Sequence, residues 1–394
     1  MISTIATDDI HVLIIPSWFD PEDPHKVSPF IFEQALALMQ TGVNVGILYV
    51  GFSGGIPSFH RCEVSGIPIL SVTLPRILRR MKQLSLGILR RAHSILYGIY
   101  KARHGAPTLI HAHSMYAGGI CAAHLARQHK HPFVVTEHFS GYSLGTLKVW
   151  QLRAIRKAAE RSTRMFFVSE TLRRDSEEQF PQANWKILTN NYSAQLTENI
   201  PCFRSSTGRE YFCIVARLDI NKNVAMCLRA FAMLPDKSSD LFVIGTGIQR
   251  DHLQYLARDL NISHRILFHG AQSRVKTFSF IKGAAAVIIC SGYETFGMTV
   301  IEAAMLGTPV ISTKCGGPTE IMGDDFGLLI DKDDIEGLTK AMQEAVVEKA
   351  KFKCDDAKRI VALRYSPARI AAQLKAEYAA VILEQNGRLQ QKES

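Results

Sequence analysis

The chain of 394 residues is long enough for two domains of ordinary size, and its 47% hydrophobic and 21% charged residues are typical of a globular protein with a large core. Its formal net charge is +10, of which residues 1–195 carry +8 and the remainder +2. No stretch approaches 18 uninterrupted apolar residues, and the N-terminus lacks the basic start of a signal peptide, so we expect a cytoplasmic protein without a membrane span. Eight scattered cysteines without a C-x-x-C pair favour buried free thiols over disulfides or zinc.

The first half alternates apolar runs with helical patterns, which predicts a domain with a parallel sheet over residues 1–195. Strand patterns cover 11–15 and 43–50, and a helix is expected between them over 31–41. Further strands are expected at 108–113, 132–138, 165–169 and 186–191.

Residues 76–104 contain eight Lys or Arg and no carboxylate, interleaved with apolar residues. Such a pattern predicts a basic amphipathic helix that binds an anionic membrane surface or another anionic ligand. An ordinary solvated helix face is the alternative interpretation. Nucleic acid is not expected as a partner because no nucleic-acid motif accompanies the charge.

Three histidines lie at predicted strand ends, and alternation places His111 and His113 on one face while His138 closes the next strand. No H-E-x-x-H or similar ligand spacing is present, so we predict no metal site. Histidines at strand ends also occur as hydrogen-bonded structural residues, which is the alternative for His113 and His138.

Periodicity is lost over residues 194–209, where we place an interdomain linker, and a second α/β domain is expected over 210–364. Gly245 and Gly247 begin like a dinucleotide fingerprint but lack its third glycine. Ser366 and Pro367 are typical of a helix start and predict a last helix to about residue 384, followed by a frayed tail to 394.

Residues 285–323 have the pattern strand, loop, helix, strand, loop, with Glu294 in the first loop and Glu302 just inside the helix. Ligands of open α/β sheets bind outside the carboxyl ends of strands, and helix N-termini there favour phosphate. Two acceptors beside a phosphate site suit sugar and ribose hydroxyls. Thr299 and Glu302 also fit a capping box, in which the glutamate only stabilises the helix start.

Arg217 and Lys222 follow the first strand of the second half. Two fixed cations at a strand end can neutralise the charge that grows on a diphosphate leaving group, without a metal. An exposed pair of basic residues on a loop is the structural alternative.

Several motifs together resemble the family-4 retaining glycosyltransferases. They are E-x7-E from Glu294 to Glu302 with an internal Phe-Gly, the following LGTPVI and GGPTEIM, R-L-x-x-x-K from Arg217 to Lys222, and HAHS and TEH in the first half. The resemblance implies the GT-B fold, in which two Rossmann-like α/β domains with parallel sheets face a central cleft. It also implies that a C-terminal helix within residues 365–394 crosses back to the first domain.

By resemblance, Arg217 and Lys222 hold the diphosphate of the donor together with the amides around the helix start. Glu302 accepts from the ribose and Glu294 from the transferred sugar, while His138 positions the sugar and stabilises charge. The other residues implied at the donor site are Gly245, Gly247, Gly270, Phe296, Gly297, Met298 and Thr299. Glu137, beside His138, stays open as a second acid.

On the acceptor side the resemblance implies His113 and the loop at Ser28. The family usually has glycine in this loop, so Ser28-Pro29 is a departure that puts backbone contact with phosphate or acceptor in question.

The implied activity is metal-independent, cofactor-free transfer of a sugar, with retention, from a UDP- or GDP-sugar to a glycan or lipid-linked acceptor. The expected location is the cytoplasm, with peripheral association with the inner face of the cytoplasmic membrane as a further expectation. A nucleotide-sugar epimerase of the same architecture and a catalytically silent nucleotide-sugar-binding subunit are the alternatives.

Overall fold

The computed structural model describes residues 10–81, 83–181, 183–323, 327–347 and 352–393, without the side chains of 83, 197 and 388–393. The expected lack of a signal peptide concerns residues 1–9, and Lys82 belongs to the basic segment; both lie outside the described residues. Among the helices in the described ranges, none has the length and apolarity needed to cross a membrane.

Strands and helices alternate along most of the chain. The strands are β1 His11–Pro16, β2 Asn44–Ser53, β3 Ser58–Val64, β4 Ile67–Pro75, β5 Leu109–His113, β6 Phe133–Glu137, β7 Arg164–Phe167, β8 Trp185–Ile187, β9 Tyr211–Val215, β10 Asp240–Ile244, β11 Ile266–Gly270, β12 Ala286–Ile289, β13 Val310–Thr313 and β14 Leu328–Ile330. The helices are α1 Pro29–Met39, α2 Gln83–His104, α3 Ile120–His129, α4 Val149–Ala159, α5 Glu170–Ser176, α6 Val224–Met233, α7 Arg250–Asp259, α8 Arg274–Gly283, α9 Met298–Met305, α10 Gly317–Met322, α11 Ile335–Val347, α12 Cys354–Arg364 and α13 Pro367–Glu393.

The chain forms two compact units, Met1–Asn191 with Pro367–Ser394, and Tyr192–Ser366. The first unit contains a sheet of order β3-β4-β2-β1-β5-β6-β7-β8, parallel except for the β3–β4 hairpin. The second unit contains a parallel sheet of order β11-β10-β9-β12-β13-β14. Two parallel-sheet α/β units confirm the predicted fold class.

The last helix, α13, belongs to the first unit, as the resemblance implied. Its apolar residues Leu374, Tyr378 and Val381 are fully buried in the core that also contains residues of α1 and β1. Arg164, at the start of β7, is buried and forms ion pairs with Glu377 and Glu384 of α13. The helix continues to Glu393, so the prediction that it ends near residue 384 is wrong.

The core of the first unit contains histidines that are buried among apolar side chains. Burial lowers the pKa of His93 to about 4 and that of His113 to about 3, and it lowers the pKa of His111 well below its ordinary value. These side chains are therefore neutral in the folded unit at pH 7 and charge freely only when the chain unfolds.

We predict that the first unit loses stability as the pH falls below 6.5. The folded pKa values are lowered, so the unfolded chain binds more protons between pH 6.5 and about 4, and unfolding is favoured there. For His93 the loss at pH 5 is roughly 2 kcal/mol. Urea unfolding at pH 7.5, 6 and 5, followed by tryptophan fluorescence, measures this unit selectively because Trp18, Trp150 and Trp185 all lie in it.

The variant His93→Leu tests the cause, since it should flatten the pH dependence by roughly that amount. His252→Leu, at an exposed position of the second unit, is the matched control. A pH dependence of His93→Leu equal to that of the wild type would show that this histidine is not a source of acid sensitivity.

Candidate functional site

The strand order of the second unit reverses between its central strands β9 and β12. Open α/β sheets bind ligands beside the carboxyl ends of the strands at such a reversal. The loops that follow β9 and β12 are joined there, since Gly292 N donates to Asn221 O at 2.7 Å and the side-chain Nδ2 of Asn221 donates to Tyr293 O at 2.8 Å. The loops therefore form one connected surface at the strand ends.

Lys222 and Glu294, predicted separately for the diphosphate and the sugar, are in contact on this surface. Lys222 Nζ lies 2.5 Å from Glu294 Oε1, and Ser291 Oγ donates to the same oxygen at 2.7 Å. Asp219 caps the 3-10 turn Ile220–Lys222 by accepting from Lys222 N. A short capped turn thus brings the ammonium to the carboxylate, and both side chains remain about one-fifth exposed to solvent.

The backbone of Glu294 is fixed by the loop that follows β13. Glu294 N donates to Cys315 O at 2.7 Å, and Gly317 N donates to Glu294 O at 3.0 Å. This bridge holds the acid independently of Lys222, so its carboxylate is preorganised.

Arg217 is held away from the Lys222–Glu294 contact. Its Nε lies 2.7 Å from Asp219 Oδ2, and its side chain is 79% exposed. The guanidinium is therefore available to an incoming anion but is not fixed by burial, and its diphosphate role stays a prediction.

The loop before α9 brings its backbone into the site. Gly297 has φ +114°, a conformation that residues with a Cβ rarely adopt, and it directly precedes Met298. The first amides of a helix, here those of Met298 and Thr299, have no partner inside the helix and can bind an anion. Phe296 is buried with its ring 5.8 Å from that of Tyr365, so its side chain supports the loop rather than facing a ligand.

Glu302 does not form a capping box, and that interpretation is wrong. The N-cap of α9 is Gly297 without a side-chain hydrogen bond, which places Glu302 in the second turn. Its Oε1 instead accepts from Arg274 Nη2 at 3.3 Å, and the Glu302 side chain is 8% exposed. Sequence reasoning missed Arg274, because no motif marks a basic residue at the start of α8.

The three remaining glycines of the predicted donor site lie around the turns after β10 and β11. Gly245 N donates to Gly270 O at 2.8 Å. A Cβ at Gly245 would lie 1.9 Å from Ala216 O, and one at Gly247 would lie 2.2 Å from Leu218 O. Glycine at 245 and 247 therefore lets this turn pack against the turn after β9.

His138 and His113 form a pair at the strand ends of the first unit. His113 Nδ1 lies 3.0 Å from His138 Nε2, and the rings stack with centroids 5.2 Å apart. Burial, and secondarily His113, lowers the pKa of His138 well below its ordinary value. The pair is therefore neutral, with one ring donating to the other, and it can position a hydroxyl but adds no positive charge.

His111, the third histidine, is tied into the fold. Its Nδ1 lies 2.7 Å from Tyr378 Oη and its Nε2 lies 2.8 Å from Thr136 Oγ1. Both ring nitrogens are thus occupied by protein partners, which is the structural role expected for a buried strand histidine.

Glu137 is fully buried and accepts four hydrogen bonds. The donors are the amides of Met115, His138 and Phe139, each at 2.9 Å, and the hydroxyl of Tyr142 at 3.0 Å. Burial raises the pKa of this carboxyl, while the amide hydrogen bonds act in the opposite direction. Glu137 therefore serves to fix the loop after β6, and its geometry does not suit a nucleophile.

Ser28 has φ +52° and ψ +54°, the left-handed conformation that glycine adopts readily. The turn before α1 therefore has a backbone conformation that glycine would also adopt. Pro29 begins the helix, where its missing N–H costs nothing.

The basic segment forms a 3-10 helix, Arg76–Met81, followed by α2. Its exposed side chains include the apolar Ile77, Met81, Leu84 and Ile95. Arg76, Arg79, Arg80, Arg91, Lys101 and Arg103 are exposed as well. Apolar and basic side chains are thus both presented to solvent.

Across the described residues, no group of three or more His, Cys, Asp or Glu side chains has an arrangement that could hold a metal ion. Basic side chains described at the candidate donor site include Arg217, Lys222 and Arg274.

Two family models match the sequence. The model of glycosyl transferases group 1 matches residues 197–359, and that of glycosyltransferase family 4 matches residues 27–190. Together they cover most of the chain, and each lies almost wholly within one unit.

Among curated relatives, a lipopolysaccharide core biosynthesis glycosyltransferase of Rhizobium meliloti is 35% identical over 122 residues, which are 31% of this chain and 35% of the relative. A D-inositol 3-phosphate glycosyltransferase of Corynebacterium jeikeium is 31% identical over 167 residues, 40% of this chain and 38% of the relative. The chain thus spans about a third of the length of the curated relatives that it matches.

Solved structures with a similar backbone fold cover nearly the whole chain. Sucrose-phosphate synthase from Thermosynechococcus elongatus has a TM-score of 0.78 at 18% identity, covering 94% of this chain and 98% of its own. Anabaena HepE in complex with UDP-glucose has a TM-score of 0.70 at 17% identity, covering 94% and 99%. At these identities the likeness establishes the GT-B fold alone.

For the first unit we predict that Glu137→Gln destabilises by roughly 3 kcal/mol. The amide nitrogen of glutamine would face backbone N–H donors that the carboxylate now satisfies, and an unsatisfied buried donor costs about 1–3 kcal/mol. Tyr142→Phe removes one of the four donors and should cost roughly 1 kcal/mol. Urea unfolding followed by tryptophan fluorescence measures both; a Glu137→Gln effect within about 0.5 kcal/mol would contradict the structural role of this acid.

Proposed function

Because the chain belongs to the glycosyltransferases of group 1 and family 4, we propose that it transfers a sugar from a UDP- or GDP-sugar to a glycan or lipid-linked acceptor. The observation that carries the proposal is the contact of Lys222 with Glu294 at the strand-order reversal of the second unit. A cation for phosphate and an acceptor for hydroxyls lie side by side there. A sugar diphosphate presents both groups within one molecule, and HepE, which shares the fold, binds UDP-glucose.

The proposed donor site assigns one part of the substrate to each charged group. Lys222 and Arg217 neutralise the diphosphate together with the first amides of α9. Glu294 accepts from hydroxyls of the transferred sugar, and Glu302 accepts from the ribose. Gly245, Gly247 and Gly270 give the nucleotide close access to the backbone.

The proposed reaction retains the anomeric configuration and needs no metal. The bond between the anomeric carbon and the phosphate oxygen breaks while the acceptor oxygen bonds to that carbon. The acceptor proton passes to the departing phosphate oxygen, so no protein nucleophile is required. Lys222 would stabilise the growing negative charge, and removing one such preorganised group costs roughly 3–4 kcal/mol.

His138 and His113 are proposed to position a substrate hydroxyl in the first unit. Their neutral state at pH 7 suits hydrogen bonding rather than charge stabilisation. The left-handed Ser28 weakens the case for a silent binding subunit, because the serine has a backbone conformation that glycine adopts readily. Incubation with donor alone separates transferase from epimerase, since only an epimerase converts the sugar without an acceptor.

We predict that Lys222→Ala and Glu294→Ala each lower the rate of sugar transfer about a hundredfold, corresponding to roughly 3 kcal/mol of transition-state stabilisation. The donor is first identified by thermal shift with nucleoside diphosphates and their sugars, because ligand at a hundred times its Kd adds about 2.7 kcal/mol. Initial rates of nucleoside diphosphate release then compare the variants.

Arg359→Ala, which removes an exposed cation paired with Asp356 on α12, is the matched control and should keep wild-type rates. Activity of Lys222→Ala or Glu294→Ala within about threefold of wild type would refute the site. The same assay with a chelator should give an unchanged rate. A loss that Mg²⁺ or Mn²⁺ restores would refute metal independence.

We also propose that the 3-10 helix Arg76–Met81 and α2 bind an anionic membrane surface. The predicted result is co-sedimentation with vesicles containing phosphatidylglycerol but not with pure phosphatidylcholine. Replacing Arg79, Arg80 and Arg91 together by Gln should weaken binding about a hundredfold, since each basic residue near such a surface contributes about 1 kcal/mol.

The matched control replaces Arg229, Arg258 and Lys340, which are exposed on the second unit, by Gln. Equal binding to neutral and anionic vesicles, or an equal loss in both triple variants, would contradict a specific role of this segment.

A further inference from the structure

Arg274 is the one basic residue of the candidate donor site that no sequence motif indicated. It is the first residue of α8, and Ser273 caps that helix by accepting from Lys276 N. Its guanidinium lies 3.3 Å from Glu302 Oε1 through Nη2 and 4.9 Å above the ring of Phe278 through Cζ. The side chain is 17% exposed, so the guanidinium is packed in place rather than solvated.

This contact bears on the orientation of Glu302. A side chain that is 8% exposed is held by its protein neighbours, and Arg274 is one of them. The planar guanidinium favours one direction as well as one distance for the oxygen that it contacts. A carboxylate has about four lone-pair sites, so the bond to Arg274 does not by itself occupy all of them.

The two residues come from helices that begin at neighbouring edges of the candidate site. Arg274 lies shortly after Gly270 at the end of β11, and Glu302 lies one turn into α9 after the Gly297 loop. The guanidinium therefore links the turn after β11, which contains the donor-site residue Gly270, to the helix that carries the acid assigned to the ribose. A carboxylate held between them is suited to accept hydrogen bonds from ribose hydroxyls, which a nucleotide without those hydroxyls cannot donate.

We propose that Arg274 is a positioning residue that holds the Glu302 carboxylate in one orientation, so that the site distinguishes ribonucleotides from nucleotides without ribose hydroxyls. The inference rests on the proposed function, in which Glu302 accepts from the ribose. Arg274 acts through Glu302 and makes no contact of its own with the reacting atoms. A hydroxyl donating to a fixed carboxylate is favoured, whereas a nucleotide lacking it leaves the buried carboxylate without that bond.

A purely structural role would give a different result. If the ion pair only joined α8 to α9, its loss would weaken the binding of every nucleotide to the same extent. If it positions Glu302, its loss weakens only ligands that carry the hydroxyls. The ratio of the affinity for a ribonucleotide to the affinity for its dideoxy analogue therefore distinguishes a structural role from a positioning role.

The experiment is isothermal titration calorimetry on the full chain with UDP and GDP and with their 2′,3′-dideoxy analogues. We expect the wild type to bind the preferred ribonucleotide at least tenfold more tightly than its dideoxy analogue, as expected for one lost charge-assisted hydrogen bond. Arg274→Gln and Glu302→Gln should each reduce this ratio to within about threefold of unity and leave dideoxy affinity within about twofold of wild type. The double variant should lose nothing further, because both changes remove the same interaction.

Arg274→Lys keeps a positive charge but not the planar fork of the guanidinium. Its ratio of ribonucleotide to dideoxy affinity should lie between those of the wild type and Arg274→Gln. Lys276→Gln is the matched control, since this basic residue of the same helix lies over the rings of Phe203 and Phe280 and should keep the wild-type ratio. Should Arg274→Gln fail to fold, Arg274→Lys and Glu302→Gln still report the ratio.

Equal loss of ribo and dideoxy affinity in the Arg274 variants, or a wild-type ratio in all of them, would overturn the positioning role while leaving the proposed function intact. A wild type that binds UDP and GDP no better than the dideoxy forms would overturn the positioning role and the assignment of Glu302 to the ribose, but not the binding of a nucleoside diphosphate. Absence of binding to any nucleoside diphosphate would overturn the proposed function, and the role of Arg274 with it.

Discussion

A cation and an acid 72 residues apart in the chain meet at 2.5 Å where the strand order of the second unit reverses. The contact exists because β9 and β12 are neighbours in a parallel sheet, so their following loops leave the same edge side by side. Other features of the candidate donor site are built around these two loops. Asn221 joins the two loops, the Cys315–Gly317 backbone fixes the acid, and α9 begins a few residues beyond it.

Holding these charges near one another requires backbone at close range, and small residues make it possible. Gly245 and Gly317 each leave space that a Cβ would fill, with Ala216 O at 1.9 Å and Phe296 O at 2.0 Å from the positions it would occupy. A side chain at Gly245 would press on the turn that leads to Lys222, and one at Gly317 would press on the loop that carries Glu294. Both close backbone approaches therefore help to set where the two charges lie.

The fold class could be predicted because periodic apolar strands and helices are local signals, and the glutamate and basic motifs stand at strand ends that the same periodicity locates. Their pairing could not be predicted, since it depends on strand order rather than on sequence distance. Glu302 shows the limit most clearly: Thr299 and Glu302 match a capping box, yet Gly297 ends the loop and shifts the helix start. The structural role of His111 could not be predicted either, because its partner Tyr378 lies 267 residues away on α13.

The two units differ in how far the ionisable side chains at their strand ends are buried. In the first unit burial keeps His113 and His138 neutral. The Glu137 carboxylate there accepts hydrogen bonds from backbone amides and from the Tyr142 hydroxyl. In the second unit the basic side chains of Lys222 and Arg217 are reachable from solvent. Neutral polar groups can orient hydroxyls at little electrostatic cost, but they cannot offset the charge of a departing diphosphate. If the chain transfers sugar as proposed, the cations and helix amides of the second unit stabilise the charge on the diphosphate. The histidine pair of the first unit then only orients a hydroxyl.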